Sequence, residues 1–137
     1  MNEHVEIISA ADGQTLAYVV RARWQPQATE FVTPDSFSLQ MGMIVYGKGQ
    51  SIMPHMHLPI TRSVQGTNEV VTVRSGACDV DLYDDGRTLV ATRRLERGDV
   101  ILLLGGGHGF RMREDTVLFE VKQGPFAGGR DKERFVP

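Results

Sequence analysis

The sequence predicts an all-β protein, and three observations support this prediction. Short runs rich in β-branched and aromatic residues recur along the chain. Turn-forming residues, above all Gly and Asp, separate these runs. No stretch has the apolar period of a convincing amphipathic helix, although residues 130–135 allow a single helical turn. Several short strands joined by turns are typical of an antiparallel barrel or sandwich.

Two strands are predicted in the first third of the chain. Residues 15–24 (TLAYVVRARW) follow the turn pair Asp12 and Gly13 and are rich in strand-forming residues. Residues 36–47 (SFSLQMGMIVYG) alternate in polarity with a period of two, which is typical of a strand with one buried face. The apolar residues on that face are Phe37, Leu39, Met41, Met43 and Val45.

Five further strands are predicted in the rest of the chain. Their sequences are EVVTVRSG, ACDVDLYDDG, RTLVATRRL, GDVILLLGG and DTVLFEVKQG. The second of these runs places Cys78, Val80 and Leu82 on one face, which indicates a half-buried antiparallel strand. The triplet Asp84, Asp85 and Gly86 that ends this run predicts a turn into the next strand. The glycine-rich GGGHGF is predicted to be a tight turn, since it matches no phosphate-binding motif.

Composition favours one soluble domain over residues 1–137. Hydrophobic residues make up 41% of the 137 residues, which is enough for a single core. The 15 Lys and Arg residues nearly balance the 17 Asp and Glu residues, so nothing favours binding to nucleic acid or to an anionic membrane. A small molecule is the expected partner.

The cellular compartment predicted from the sequence is the cytoplasm. Cys78 is the only cysteine, which excludes an internal disulfide and suits a reducing environment. The first residues, MNEHVEIISAADGQ, carry acids where a signal peptide has basic residues and an apolar run. No window approaches the roughly 18 apolar residues of a membrane span.

Three histidines and one glutamate form a candidate metal site. On an extended chain His55 and His57 point to the same face, roughly 7 Å apart at the backbone. Glu69 opens the predicted strand EVVTV, on the inward face by its period, and a buried carboxylate needs a cation or another partner. His108 is the fourth candidate. Imidazoles with one carboxylate suit Zn, Fe, Mn, Co or Ni.

The spacing of these residues resembles the first motif of the cupins, a family of small jelly-roll β-barrels. That motif is a glycine, five residues, His-x-His, three or four residues, Glu, six residues and a glycine. Here Gly49 precedes His55 and His57 at the family spacing, and Gly76 follows Glu69 at the family spacing. The spacer between His57 and Glu69 departs from the pattern, because it has eleven residues.

The second cupin motif is matched more loosely. Gly98 begins it, Gly105 stands at its turn glycine and His108 at its histidine, while Leu103 and Met112 replace the proline and the asparagine of the family. The resemblance covers a core of about residues 37–122. It implies a cupin-type jelly-roll barrel whose divalent metal is bound by His55, His57, Glu69 and His108.

The resemblance leaves two functions open. The first is a metalloenzyme acting on a small polar molecule, with dioxygenase chemistry if the metal is Fe and isomerase or lyase chemistry if it is Zn, Mn or Ni. The second is a non-catalytic module that binds a small molecule or sugar. The tail EVKQGPFAGGRDKERF is similar to that of small cupins associated with bacterial surface-polysaccharide biosynthesis. Small cupins commonly pair, so a homodimer is expected.

No residue stands out as a general acid or base, but several suit substrate binding. The eleven residues 58–68 (LPITRSVQGTN) are either a solvent loop or a flap over the barrel mouth. In the flap, Arg62 and Gln65 would reach an anionic group of the substrate. Tyr46 is a further substrate-binding candidate. Lys122 shares a strand face with Glu120, and this pair either lines the cavity or forms an exposed ion pair.

Overall fold

A computed structural model describes residues 2–137, and these residues form ten β-strands and no α-helix. The strands are β1 (Val5–Ser9), β2 (Thr15–Val20), β3 (Glu30–Phe31), β4 (Gly42–Met43), β5 (Glu69–Ser75), β6 (Ala77–Tyr83), β7 (Leu89–Glu96), β8 (Val100–Leu103), β9 (Gly107–Met112) and β10 (Val117–Lys122). All strand pairs are antiparallel. The all-β class predicted from the sequence is confirmed.

The chain divides into two compact units. Residues 2–24 and 66–137 form the larger one, called here the sheet unit, and Gln25–Gln65 form the inserted unit. The sheet unit contains a five-stranded sheet of order β1-β2-β8-β5-β10 and a three-stranded sheet of order β7-β6-β9. The inserted unit contains the short pair β3-β4. The sheets are open, and no closed barrel is present among residues 2–137.

The hydrophobic core lies between the two sheets of the sheet unit. Side chains alternate along β5 as predicted, so Glu69, Val71 and Val73 are buried while the residues between them are only partly covered. Cys78, Val80 and Leu82 of β6 face them and are fully buried. The other buried members of this core are Ile8, Ala10, Leu16, Ala17, Val19, Leu95, Ile101 and Leu103.

Arginine side chains cover the outer face of β6. Asp79 is buried, and it forms ion pairs with Arg94 (3.0 Å), Arg111 (3.8 Å) and Arg113. Its neighbour on this face, Asp81, binds the Arg111 guanidinium at 2.8 Å. The predicted half-buried strand therefore has its apolar face as expected and a polar face covered by paired charges.

The turns predicted at Asp12 and Gly13 and at residues 84–86 are confirmed. Gly13 has a φ of 91°, and Asp12 Oδ1 accepts a hydrogen bond from the Gln14 amide. At the second turn the Asp84 side chain accepts a hydrogen bond from the Thr88 amide at 2.9 Å, and β7 begins one residue later. The helical turn considered at residues 130–135 is absent, and hydrogen-bonded turns occupy residues 127–132 instead.

The strand predicted over residues 36–47 is wrong, since only Gly42 and Met43 are paired there. Side-chain hydrogen bonds hold the preceding residues in a compact loop. The Gln40 amide group donates to the carbonyl oxygens of Pro34 and Phe37, and its Oε1 accepts from Thr33. Such local side-chain bonds compete with strand pairing. The polarity pattern of the sequence gives no sign of them.

Two strand ends also differ from the prediction. The run predicted over residues 15–24 leaves the sheet at Val20, because the next residues form a turn closed by a bond from the Trp24 amide to the Arg21 carbonyl. The turn predicted around His108 ends earlier than expected. Gly106 takes a positive φ of 65°, and β9 starts at the next residue, so His108 lies in a strand. No helix among residues 2–137 has the length and apolar character needed to cross a membrane.

Candidate functional site

The structure places Glu69 and His108 against each other. The carboxylate oxygen Oε2 of Glu69 lies 3.1 Å from Nε2 of His108. The Glu69 side chain retains only 12% of its exposure, and that of His108 retains 31%. This is therefore a largely buried carboxylate with an imidazole as its neighbour.

Strand register explains how two residues so far apart in the sequence meet. Glu69 is the first residue of β5 and pairs with Leu103 on one side and Lys122 on the other. His108 lies on β9 opposite Leu82. Because β5 and β9 belong to different sheets, the two side chains approach each other across the core at one end of the sheet unit.

Glycines flank His108 on both sides, and the space beside one of them, Gly109, is open. A Cβ added to Gly109 would meet no atom within 4 Å, so the space beside that residue is free. A Cβ at Gly107 would lie 3.0 Å from the ring of Phe135. His108 itself lies edge-on to Phe110, with ring centroids 6.0 Å apart. One side of the histidine is thus apolar and the other is accessible.

The pair has the donor chemistry of a metal site but not the full number of donors. A carboxylate oxygen and an imidazole nitrogen are ligands that Zn, Fe, Mn and Ni accept, and about four ligands are usual. Among residues 2–137, no group of three or more His, Cys, Asp or Glu side chains is arranged to hold an ion. The pair also has the geometry of an oriented imidazole, in which a carboxylate fixes the ring and the protonated nitrogen.

His55 and His57 lie together in the inserted unit. Their ring centroids are 5.2 Å apart with an interplanar angle of 67°, and both residues are exposed. The segment that carries them is not a strand, contrary to the extended strand expected from the sequence. His55 Nδ1 donates to the carbonyl oxygen of Met53 at 2.8 Å, and its Nε2 takes no part in this bond.

The predicted substrate-binding residues are divided between the two units. Tyr46, Arg62 and Gln65 are exposed in the inserted unit, where Arg62 lines a shallow cleft of about 570 Å³. Lys122 lies on β10 of the sheet unit, directly opposite Glu69 in the ladder, and is exposed. Residues 58–66 are exposed and form no strand, so the choice between a solvent loop and a flap stays a prediction.

An aromatic side chain that sequence reasoning missed, Phe135, lies beside Gly107, the residue before His108. The Phe135 ring packs edge-on against Tyr83, with centroids 5.1 Å apart, and the Arg87 guanidinium lies 5.1 Å from the Phe135 ring centroid. Arg87 also pairs with Glu133 at 3.2 Å. The C-terminal tail is thereby fixed beside Gly107, next to His108. The only sign of this contact in the sequence is the phenylalanine of KERF near the C-terminus. No local pattern connects that residue to β9.

Comparisons of the chain with protein-family models, with curated proteins and with solved structures give no match. The functional interpretation therefore depends on the residues and contacts themselves. Two contacts between candidate ligands are present, Glu69 with His108 in the sheet unit and His55 with His57 in the inserted unit.

Proposed function

We propose that this protein is a cupin-type metal-binding protein and an enzyme acting on a small polar molecule. The observation that carries the proposal is the buried Glu69 carboxylate, 3.1 Å from His108, because the two cupin-like motifs assign a metal ligand to each of these positions. The two open antiparallel sheets with a shared core support a jelly-roll type of fold. In the proposal, His55 and His57 supply the remaining ligands.

The donor set favours a divalent transition metal such as Fe, Zn, Mn or Ni. A buried carboxylate that stays charged costs several kcal/mol unless a cation or hydrogen-bond donors compensate it. A neutral His108 ring offers Glu69 one hydrogen bond through Nε2, whereas a bound metal ion supplies a positive charge. When bound, such an ion supplies Lewis-acid chemistry or, in the case of iron, oxygen chemistry.

The protein's own residues would then bind and shield the substrate. Phe110 packs against the core beside His108 and keeps that side apolar. The open space at Gly109 leaves room for a small molecule. Arg62, Gln65, Tyr46 and Lys122 remain the proposed substrate-binding residues, with Arg62 suited to a bidentate contact with a carboxylate or phosphate.

A second candidate function is a binding module without catalysis, for a small molecule or a sugar. The specific observation in its favour is that the described residues group only two metal-type donors, Glu69 and His108. A carboxylate and an imidazole at this distance also suit hydrogen bonds to sugar hydroxyl groups. In this case no metal is required.

Elemental analysis of the untagged protein, purified without chelator, tests the proposal. We expect about one metal ion per chain in the wild type and a loss of about tenfold or more in Glu69→Gln, His108→Ala and His57→Ala. The control is His4→Ala, since His4 lies near the N-terminus and pairs with Glu3. Stoichiometric metal in all three site variants would refute the site. No metal in the wild type after reconstitution with Fe, Mn, Zn and Ni would favour the binding module.

A further inference from the structure

A cleft lined by arginines lies at the other end of the sheet unit. It has a volume of about 470 Å³ and is formed where β2 ends and β7 turns into β8. Its charged lining consists of Arg21, Arg23, Arg94, Arg97, Glu96 and Asp99. β8 separates it from the Glu69 and His108 pair, because Val100 lies beside Val20 at the cleft end and Leu103 lies beside Glu69 at the other end.

Asp99 organises the cleft and neutralises only one of its arginines, Arg21. Its carboxylate accepts hydrogen bonds from the backbone amides of Ala22 and Glu96, each at 2.8 Å, and from Arg21 at 3.2 Å. The side chain is only 10% exposed. The bonds from Ala22 and Arg21 join two segments that are far apart in the sequence, and the bond from Glu96 closes the turn before β8, so the walls of the cleft are fixed before any ligand binds.

Two of the arginines are held in place by contacts within the sheet unit. Arg21 donates to the carbonyl oxygen of Arg94 at 2.7 Å as well as to Asp99. Arg94 donates through Nε to Asp79 at 3.0 Å. Because their positions are fixed in the apo protein, ligand binding would not cost the full side-chain entropy of two free arginines.

The other two arginines have charges that no carboxylate neutralises. Arg23 donates to Nδ1 of His4 at 3.2 Å, an acceptor that is uncharged when it accepts this bond. Arg97 is exposed and makes no hydrogen bond or ion pair with any of residues 2–137. The cleft thus carries four guanidinium groups against two carboxylates, in a chain whose formal net charge is -2.

We infer that this cleft binds a compact oxyanion with more than one negative charge, of the phosphate or pyrophosphate type. Guanidinium groups bind such anions through paired, charge-assisted hydrogen bonds. The ligand would be either free phosphate or pyrophosphate or the phosphate group of a larger metabolite. This inference does not depend on the proposed function, since the cleft shares no residue with the candidate metal site.

Isothermal titration of the full-length protein with inorganic pyrophosphate at constant ionic strength tests this inference. We expect saturable binding with one site per chain. The double variant Arg23→Ala and Arg97→Ala should bind at least about tenfold more weakly, since each lost charge-assisted bond has an effect of this order. Arg130→Ala is the matched control, because Arg130 is an exposed arginine outside the cleft, and it should bind as the wild type does.

Two further ligands, glucose 1-phosphate and orthophosphate, distinguish the source of the anion. Stronger binding of glucose 1-phosphate than of orthophosphate would indicate a phosphorylated metabolite, and the reverse order would indicate the free anion. Either order supports the inference, provided that the double variant loses the binding and His108→Ala retains it. Binding that sodium chloride abolishes as effectively as sodium sulfate at equal ionic strength, or that persists in the double variant, would overturn it.

Discussion

Two carboxylates on the outer face of β6, Asp79 and Asp81, are stabilised in their charged form by neighbouring arginines. Hydrogen bonds from Arg113 and then Arg94 hold the pKa of Asp79 below its usual value, although its partial burial opposes them. The hydrogen bond from Arg111, followed by that from Thr92, lowers the pKa of Asp81 from 3.8 to about 2. The outer face of β6 is therefore most stable when both carboxylates are charged.

Replacing Asp81 by Asn should reduce the free energy of unfolding at neutral pH by about 1 kcal/mol. This is less than the pKa shift alone implies, because solvent screens the half-exposed partner Arg111. Because the folded pKa is depressed, the stabilisation by Asp81 is complete above the unfolded pKa of about 4 and is lost as pH falls towards 2. Asp81→Asn should lose less stability than the wild type between pH 4 and 2. Urea unfolding at several pH values measures this effect.

The exposed turn residue Asp85 provides the control for that experiment. Asp85→Asn should follow the wild-type pH profile. If Asp81→Asn and the wild type lose stability in parallel below pH 4, the ion pair does not contribute in the way described.

At the scale of strands, the sequence predicts an element well when period, turn residues and pairing agree. The predictions for β5, β6, β8 and β10 hold because each run alternates or is bounded by a turn signal. β1 was not predicted, since VEIIS has no turn signal before it and its stability comes from pairing with β2. β9 was missed because its glycines favour a turn, whereas hydrogen bonding to β6 keeps it extended.

Gly76 is the residue on which the connection between β5 and β6 depends. It has a φ of 86°, and a Cβ there would overlap the backbone oxygen of Asp115 and the side chain of Thr116. Gly76→Ala should therefore reduce the free energy of unfolding by about 2 kcal/mol or more, since the strained φ and the overlap act together. Thermal and urea unfolding measure the loss.

Gly13 serves as the matched control for Gly76. It also has a positive φ, of 91°, but no atom lies within 4 Å of a Cβ placed there. Gly13→Ala should cost only about 1 kcal/mol, the effect of backbone strain alone. Equal losses in the two variants would show that the overlap at Gly76 relaxes without cost.

At the scale of the whole molecule, local sequence signals account for the core and for part of the candidate site. The inward orientation of the Glu69 side chain follows from the alternation along β5. The spacing of the second cupin-like motif indicated His108. The arginine cleft had no such signal, because the hydrogen bond between Ala22 and Asp99 joins residues 77 positions apart. Contacts of this range arise from the order of strands in the sheet, which no local pattern specifies.

The open edge of the five-stranded sheet makes the expected homodimer testable. β10 is the outermost strand, and Val117, Phe119 and Val121 on one of its faces are about half exposed. We expect self-association through this edge, since the free backbone groups of an apolar edge strand can pair with a strand of another chain. Val121→Lys should shift the protein towards monomer in analytical ultracentrifugation.

Val136→Lys is the control for the dimer prediction, because Val136 is almost fully exposed in the C-terminal tail. It should sediment as the wild type does. A wild-type protein that is monomeric at all concentrations, or a Val121→Lys variant that associates as strongly as the wild type, would contradict the prediction.

The absence of strands in residues 47–66, most of which are exposed, also has a consequence for proteolysis. The stretch contains one lysine, Lys48, and one arginine, Arg62, and both are exposed and flank His55 and His57. A trypsin-like protease that cuts after both residues removes both histidines in one peptide. The pairing of β2 with β8 would still join the two remaining pieces of the sheet unit. Two of the four proposed metal ligands can therefore be lost by digestion while Glu69 and His108 stay in place.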